Sequence, residues 1–193
     1  MKDNYHHGNL REALILAGLK LINEEGESNL SLRKVASLCD VSHSAPYAHF
    51  KDKEELIEAI KDSVTNKFME ELNKAINSAK TAEEAILNMG KSYVTFFINN
   101  PDYFKFLFSN QNIVAHLKVD KEYNNDYKPF LLLKEQYLKF IDETNQVKTD
   151  DEKEIDIIRI WSTVHGLASL ACQPNVEVSF DWIEKLESNI LLK

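Results

Sequence analysis

Between residues 31 and 53 the sequence gathers side chains able to hold a polyanion and to touch base edges. Arg33, Lys51 and Lys53 carry fixed positive charge, Ser31, Ser42, Ser44 and Tyr47 carry hydroxyls, and His43 and His49 carry ring nitrogens. Residues 43–50 contain no Arg, Lys, Asn or Gln, the side chains that most often pair bidentately with bases. Reading of bases there falls to His43, Ser44, Ala45 and the Tyr47 ring, or to Arg33 outside that stretch. Ser31, Tyr47, His49, Lys51 and Lys53 suit the sugar-phosphate backbone. Lys53 stands near a helix start, where dipole and ammonium both favour an anion.

The elements that must position these groups are two short apolar stripes at helical spacing. Leu32, Val35, Ala36 and Leu38 form the first, and Ala45, Ala48 and Phe50 the second. Cys39-Asp40-Val41-Ser42 lies between them, long enough for a sharp bend and too short for a strand. Ser31 and Ser42 each precede a helical pattern, where a hydroxyl can accept from an orphan backbone N–H. Small Ala36 allows a close helix crossing and Val41 can plug the angle. This spacing predicts a helix-turn-helix whose second helix enters a DNA major groove. The same shape also serves as a plain packing corner; Tyr47-x-His49-Phe50 followed by Lys51-x-Lys53 favours DNA.

Ala36, Val41-Ser42, Tyr47, His49-Phe50 and Lys51-x-Lys53-x-x-Leu56 together resemble the TetR-type one-component repressors over about 55 residues. Trp161 and His165-Gly166-Leu167 are similar to the C-terminal signature of the subgroup named for Trp-His-Gly. The sequence departs from the family at the turn, where Asp40 stands in place of the usual glycine; aspartate tolerates positive φ better than most residues. The resemblance implies a homodimer whose last two helices form a four-helix bundle, and a body that holds a small-molecule inducer. It also implies release from a palindromic operator when that inducer binds. In some members the arginine matching Arg33 reaches a guanine.

At 193 residues, 44% hydrophobic and 28% charged, the chain has the composition of a water-soluble globular protein with a proper core. Only 5 Gly and 4 Pro argue for helices with few turns. No run reaches the length of a membrane span, and the N-terminus lacks the apolar core of a signal peptide, so a cytoplasmic protein is expected. Cys39 and Cys172 sit in apolar helical patterns without ligand spacing and read as reduced core residues. The net charge of −8 divides into about −2 for residues 1–55 and −6 for the rest, so neither part is basic. Placement matters more: Arg11, Arg33, Lys34, Lys51 and Lys53 cluster at the helix ends, while Glu24, Glu25 and Glu27 fall in a loop. A modest electrostatic contribution to affinity follows.

In chain order, Asn9 with Glu12 caps a first helix that Gly26 ends, and the three helices form a head. Tyr5, His6 and His7 precede it as a tail or a DNA-touching arm. Asp52 caps a long fourth helix whose stripe runs Leu56, Ile60, Val64, Phe68, Leu72 and Ile76. The expected division is a DNA-binding domain, 1–52, and a ligand-binding and dimerisation domain, 53–193, in an all-α fold. Thr81 with Glu84 opens the next helix, and Pro101 and Pro129 suit first turns. Residues 93–108 hold seven aromatics, which either fill a core or line a cavity; the resemblance favours the cavity. Its expected walls are Phe68, Met89, Tyr93, Phe96, Phe97, Phe104, Phe108, Tyr137, Trp161 and His165. Alternatively, His165 is a hydrogen-bonded core residue. The last two helices are apolar enough to suggest a subunit interface over residues 152–192. Ala168 is placed mid-interface, and Gly166 in mid-helix implies a close helix approach.

No Gly-rich phosphate loop, HExxH, CxxC or nucleophile elbow is present, and Asp156, Ser162 and His165 share one helix without a framed nucleophile. His116 stands alone, so no metal and no cofactor is expected. An effector-released repressor that is not an enzyme is the leading reading. A helix-turn-helix adapter acting through protein partners and an all-helical enzyme are the alternatives.

Overall fold

The computed structural model describes residues 10–109, 113–121, 123 and 126–188, with the side chains of residues 109 and 186–188 left aside. The expectations for Tyr5, His6, His7 and Asn9, and for the part of the expected interface beyond residue 188, lie outside the described residues. The architecture is all-α, a helix-turn-helix head followed by a larger helical body, and no strand occurs among the described residues. The chain forms two compact units, Met1–Val64 and Thr65–Lys193.

The head opens with α1, Leu10–Glu25, which presents Leu14, Ile15, Leu19, Leu21 and Ile22 to the core. Gly26 ends it at φ 87, a conformation that only glycine adopts without cost. After a 3₁₀ turn, Glu27–Asn29, helix α2 spans Leu32–Leu38. Ser31 caps it as expected, its hydroxyl accepting from Lys34 N at 3.3 Å. Val35 and Ala36 are fully buried, whereas Leu38, assigned to the same stripe, is 53% exposed. Asp40 takes φ 54 at the turn, the left-handed conformation that favours glycine. An L residue there costs about 1 kcal/mol.

The expected second α-helix is instead a 3₁₀ turn, Ala45–Ala48. Pro46 is the reason. It has no N–H to close a bond to Ser42 O, and Ala45 N takes that carbonyl at 2.9 Å instead. Ser42 caps nothing with its side chain; its hydroxyl meets that of Ser44 at 3.1 Å. The long helix is therefore the third, α3, Lys53–Asn77, about 38 Å at 1.5 Å per residue. Asp52 Oδ1 caps it by accepting from Glu55 N, and Glu55 Oε2 accepts in return from Lys51 N. Within the head, α3 comes close to α1 at Gly18, where a Cβ would stand 2.9 Å from Ile60 Cδ1 and 3.3 Å from Leu56 Cδ2.

The body is built around α4, Ala82–Asn99, which packs against α6, Lys128–Glu143, and α7, Asp150–Ala171. Shorter helices α5, Pro101–Ser109, and α8, Trp182–Ser188, also contact α4. Thr81 caps α4, Pro101 opens α5 and Pro129 lies in the first turn of α6, each as its residue type dictates. Helix α7 begins in a full capping box between Thr149 and Glu152. It buries Ile157, Val164 and Ala168 on one side, while Ile155, Ile158 and Leu170 are 42–47% exposed.

His116 does not stand alone. The buried Asp126 carboxylate accepts from its backbone N–H at 2.9 Å and pairs with its Nδ1, and Tyr123 stacks on its ring. Buried Lys134 donates to the carbonyls of Lys118 and Lys121. These two buried groups anchor the described part of the stretch before α6 through side-chain hydrogen bonds.

Candidate functional site

In the head, Arg33, Ser42, His43, Ser44, Tyr47 and Lys51 are exposed, and Ser31, Ala45, His49 and Lys53 are half-buried. The large aromatic Tyr47 is 55% exposed, a position that core packing does not explain. Pro46 and Phe50 turn inward beneath it, and the Arg11 guanidinium covers the Phe50 ring at 5.2 Å. Cation availability differs among the basic residues. Lys34 is held by Glu25 at 2.8 Å, and Lys51 lies 3.8 Å from Asp52. The side chains of Arg33 and Lys53 have no hydrogen-bond or ion-pair partner among the described residues, so both charges are available to an anion. Ser37, which periodicity did not single out, bonds both to Arg33 O and to the His43 ring.

A helix-turn-helix with outward hydroxyls, imidazoles and unpaired cations is a nucleic-acid reader in form, and comparison with known proteins agrees. Residues 14–60 match bacterial regulatory proteins of the tetR family. That match falls within the helix-turn-helix head. An HTH-type transcriptional regulator of Haemophilus influenzae, itself uncharacterised, is 33% identical over 92 residues, 48% of this chain and 49% of that protein. The chain therefore aligns with about half the length of this curated relative. Over nearly the whole chain the fold is that of solved TetR-family regulators. One from Haemophilus influenzae superposes with TM-score 0.64 at 21% identity, over 95% of this chain and 94% of the other. Another, from Bordetella parapertussis, gives 0.66 at 14% identity over 96% and 94%.

Within the body that follows the head, the ten expected pocket residues fall in three environments. Phe68, Phe96, Phe97, Phe104 and Phe108 pack ring on ring, with Phe97 at 4.8 Å from Phe68, 5.1 Å from Phe96, 5.3 Å from Phe104 and 5.5 Å from Phe108. His165 joins them, 4.6 Å from Phe108, its Nδ1 3.0 Å from Tyr93 Oη. Burial pushes the Tyr93 phenol well up and the His165 imidazole down, so both neutral forms are favoured where the two side chains meet. Met89, Tyr93 and Trp161 line a cavity of about 40 Å³ together with Leu72, Tyr127 and Phe130. Such a volume holds a water or two.

Tyr137 lies elsewhere, on an open groove of about 310 Å³ between α4, α6 and α7 that includes Leu87, Phe140 and Arg159. Ile86, Gly90, Ile160 and Val164 border both spaces, so one layer of side chains divides groove from cavity. At the groove's edge Tyr137 donates to Asp156 at 2.7 Å, and Lys148 beside that carboxyl holds it below the usual carboxylate range. Ser162 instead donates to Arg159 O, and His165 faces Tyr93, so Asp156, Ser162 and His165 form no relay. Among the described residues no His, Cys, Asp and Glu group of three or more is placed for a metal, and no helix is long and apolar enough to cross a membrane.

Proposed function

We propose that the chain is a homodimeric transcriptional repressor that binds a two-fold symmetric DNA operator through its head and leaves it when a small apolar effector occupies the body. The observation that carries this reading is the unpaired, exposed Arg33 beside the outward His43, Ser44 and Tyr47, in a segment matching the tetR family. The names of its relatives agree.

The dimer reading is supported by α7. The helix is apolar most of the way round, yet its Ile155, Ile158 and Leu170 stay exposed. A Cβ on Gly166 would meet nothing within 4 Å, so no close approach within the chain explains that glycine. A second copy crossing there does. The interface lies on this outer face and not at Ala168, which is 0% exposed and already spent inside the body. For the effector, groove and cavity joined past Ile86 and Ile160 would reach the size of ordinary small-molecule sites. Helix α3 contributes residues 53–64 to the head and 65–77 to the body, so a ligand that moves it would change how the two heads are spaced.

Arg33 and Lys53 separate specificity from affinity. Arg33→Ala should cost about 1–3 kcal/mol on a selected site and relax preference at one guanine per half-site. Lys53→Ala should weaken all duplexes alike and flatten the salt slope by about one for each phosphate no longer neutralised, about two per dimer. Binding of both variants to selected and scrambled duplexes across a salt series is the measurement. Equal losses on both duplexes for Arg33→Ala would make Arg33 a phosphate clamp and remove it as a reader.

A further inference from the structure

Ser37 projects from the last turn of α2 and joins two groups that helical spacing alone does not connect. Its hydroxyl lies 3.1 Å from Arg33 O, one turn back, and 3.3 Å from Nε2 of His43, across the Asp40 turn. A hydroxyl has one proton to give, and a carbonyl can only accept. Both contacts are satisfied in one arrangement: Ser37 donates to Arg33 O and accepts from a protonated His43 Nε2. In the neutral imidazole the proton is then on Nε2, and Nδ1 carries a bare lone pair. His43 is exposed, and its Nδ1 has no partner among the described residues.

An outward lone pair narrows what His43 can contact on DNA. Phosphate oxygens only accept, so Nδ1 in this tautomer forms no hydrogen bond with the backbone anion. In the major groove the donors are the exocyclic amino groups, N4 of cytosine and N6 of adenine; guanine and thymine offer only acceptors there. We propose that Ser37 orients His43 and sets its tautomer, making His43 the reader of one amino-bearing base, cytosine or adenine, in each half-site. Ser37 is a positioning residue and His43 makes the contact. The proposal rests on the DNA-binding reading and adds to it a specificity determinant in a segment that lacks Arg, Lys, Asn and Gln.

The test is selection from a random-sequence 30-base-pair duplex pool by the protein at pH 8. Ser37→Ala removes the acceptor from an exposed helical position and gains helix propensity, so folding is retained. The wild type should enrich cytosine or adenine at one position per half-site, and Ser37→Ala should lower that enrichment about five-fold, the worth of roughly one hydrogen bond. Other positions and the salt slope should be unchanged. Ser37→Thr, which keeps the hydroxyl, should restore the preference, and His43→Ala should lose it at the same position. Wild-type preferences unchanged in Ser37→Ala, or a loss spread over all positions, would overturn the proposal while leaving DNA reading intact. Enrichment of guanine at the position that His43→Ala relaxes would overturn it too. A wild type that enriches no site would remove the DNA reading itself, and this proposal with it.

Discussion

Phe97→Ala should destabilise the body by about 3–5 kcal/mol, the range for emptying a fully buried aromatic site. Phe97 is 0% exposed, and five rings converge on it within 5.5 Å, four in edge-to-face geometry with Tyr93, Phe96, Phe104 and Phe108. Such pairs add about 0.5–1.5 kcal/mol each beyond area burial, and the surrounding helices cannot all close on the void at once. Urea unfolding followed by tryptophan fluorescence isolates the effect, because the chain's 2 tryptophans, Trp161 and Trp182, both belong to the body. A loss under about 1 kcal/mol would mean the rings rearrange freely, as the walls of a ligand cavity do and a close-packed core does not.

The second large effect is expected at the outer face of α7. Ile158→Glu puts a carboxylate at a position 42% exposed in the single chain, so the protomer should fold unchanged. Burying that charge between two copies is prohibitive, and the protein should sediment at 22.3 kDa at micromolar concentration. Losing the partner head removes its effective concentration on the duplex, and operator affinity should fall about 10²–10⁴-fold. Ala168→Glu is the informative contrast: it places the charge inside the body and should unfold the protomer. A dimeric Ile158→Glu protein with full affinity would move the interface elsewhere.

What could be read from the chain, and what could not, divides by range. Ser31, Asp52, Thr81, Gly26 and Pro101 announced helix ends because capping is a contact over a few residues. The left-handed φ of Asp40 followed from the turn it occupies. Pro46 was an equally local signal, and the apolar pattern around it still read as an α-helix, since hydrophobic spacing over eight residues cannot separate 3₁₀ from α. The pairing of His116 with Asp126 crosses ten residues of irregular chain, where no period links the partners. The density of aromatics in residues 93–108 was plain, but number alone does not distinguish filling from lining. Phe97 is enclosed by rings, and Met89 and Trp161 border the small cavity. On α7, an all-round apolar pattern left open which residues turn inward, and Ala168 proved to be on the inner side.

We propose that this head reads DNA as one half of a symmetric pair. The most direct test is selection by the full-length protein from a random duplex pool, followed by binding of the recovered duplex across a salt series. The expected result is a two-fold symmetric consensus, with log affinity falling linearly with log salt as the Lys and Arg contacts release counterions. Recovery of no consensus, with binding weak and indifferent to salt, would contradict it.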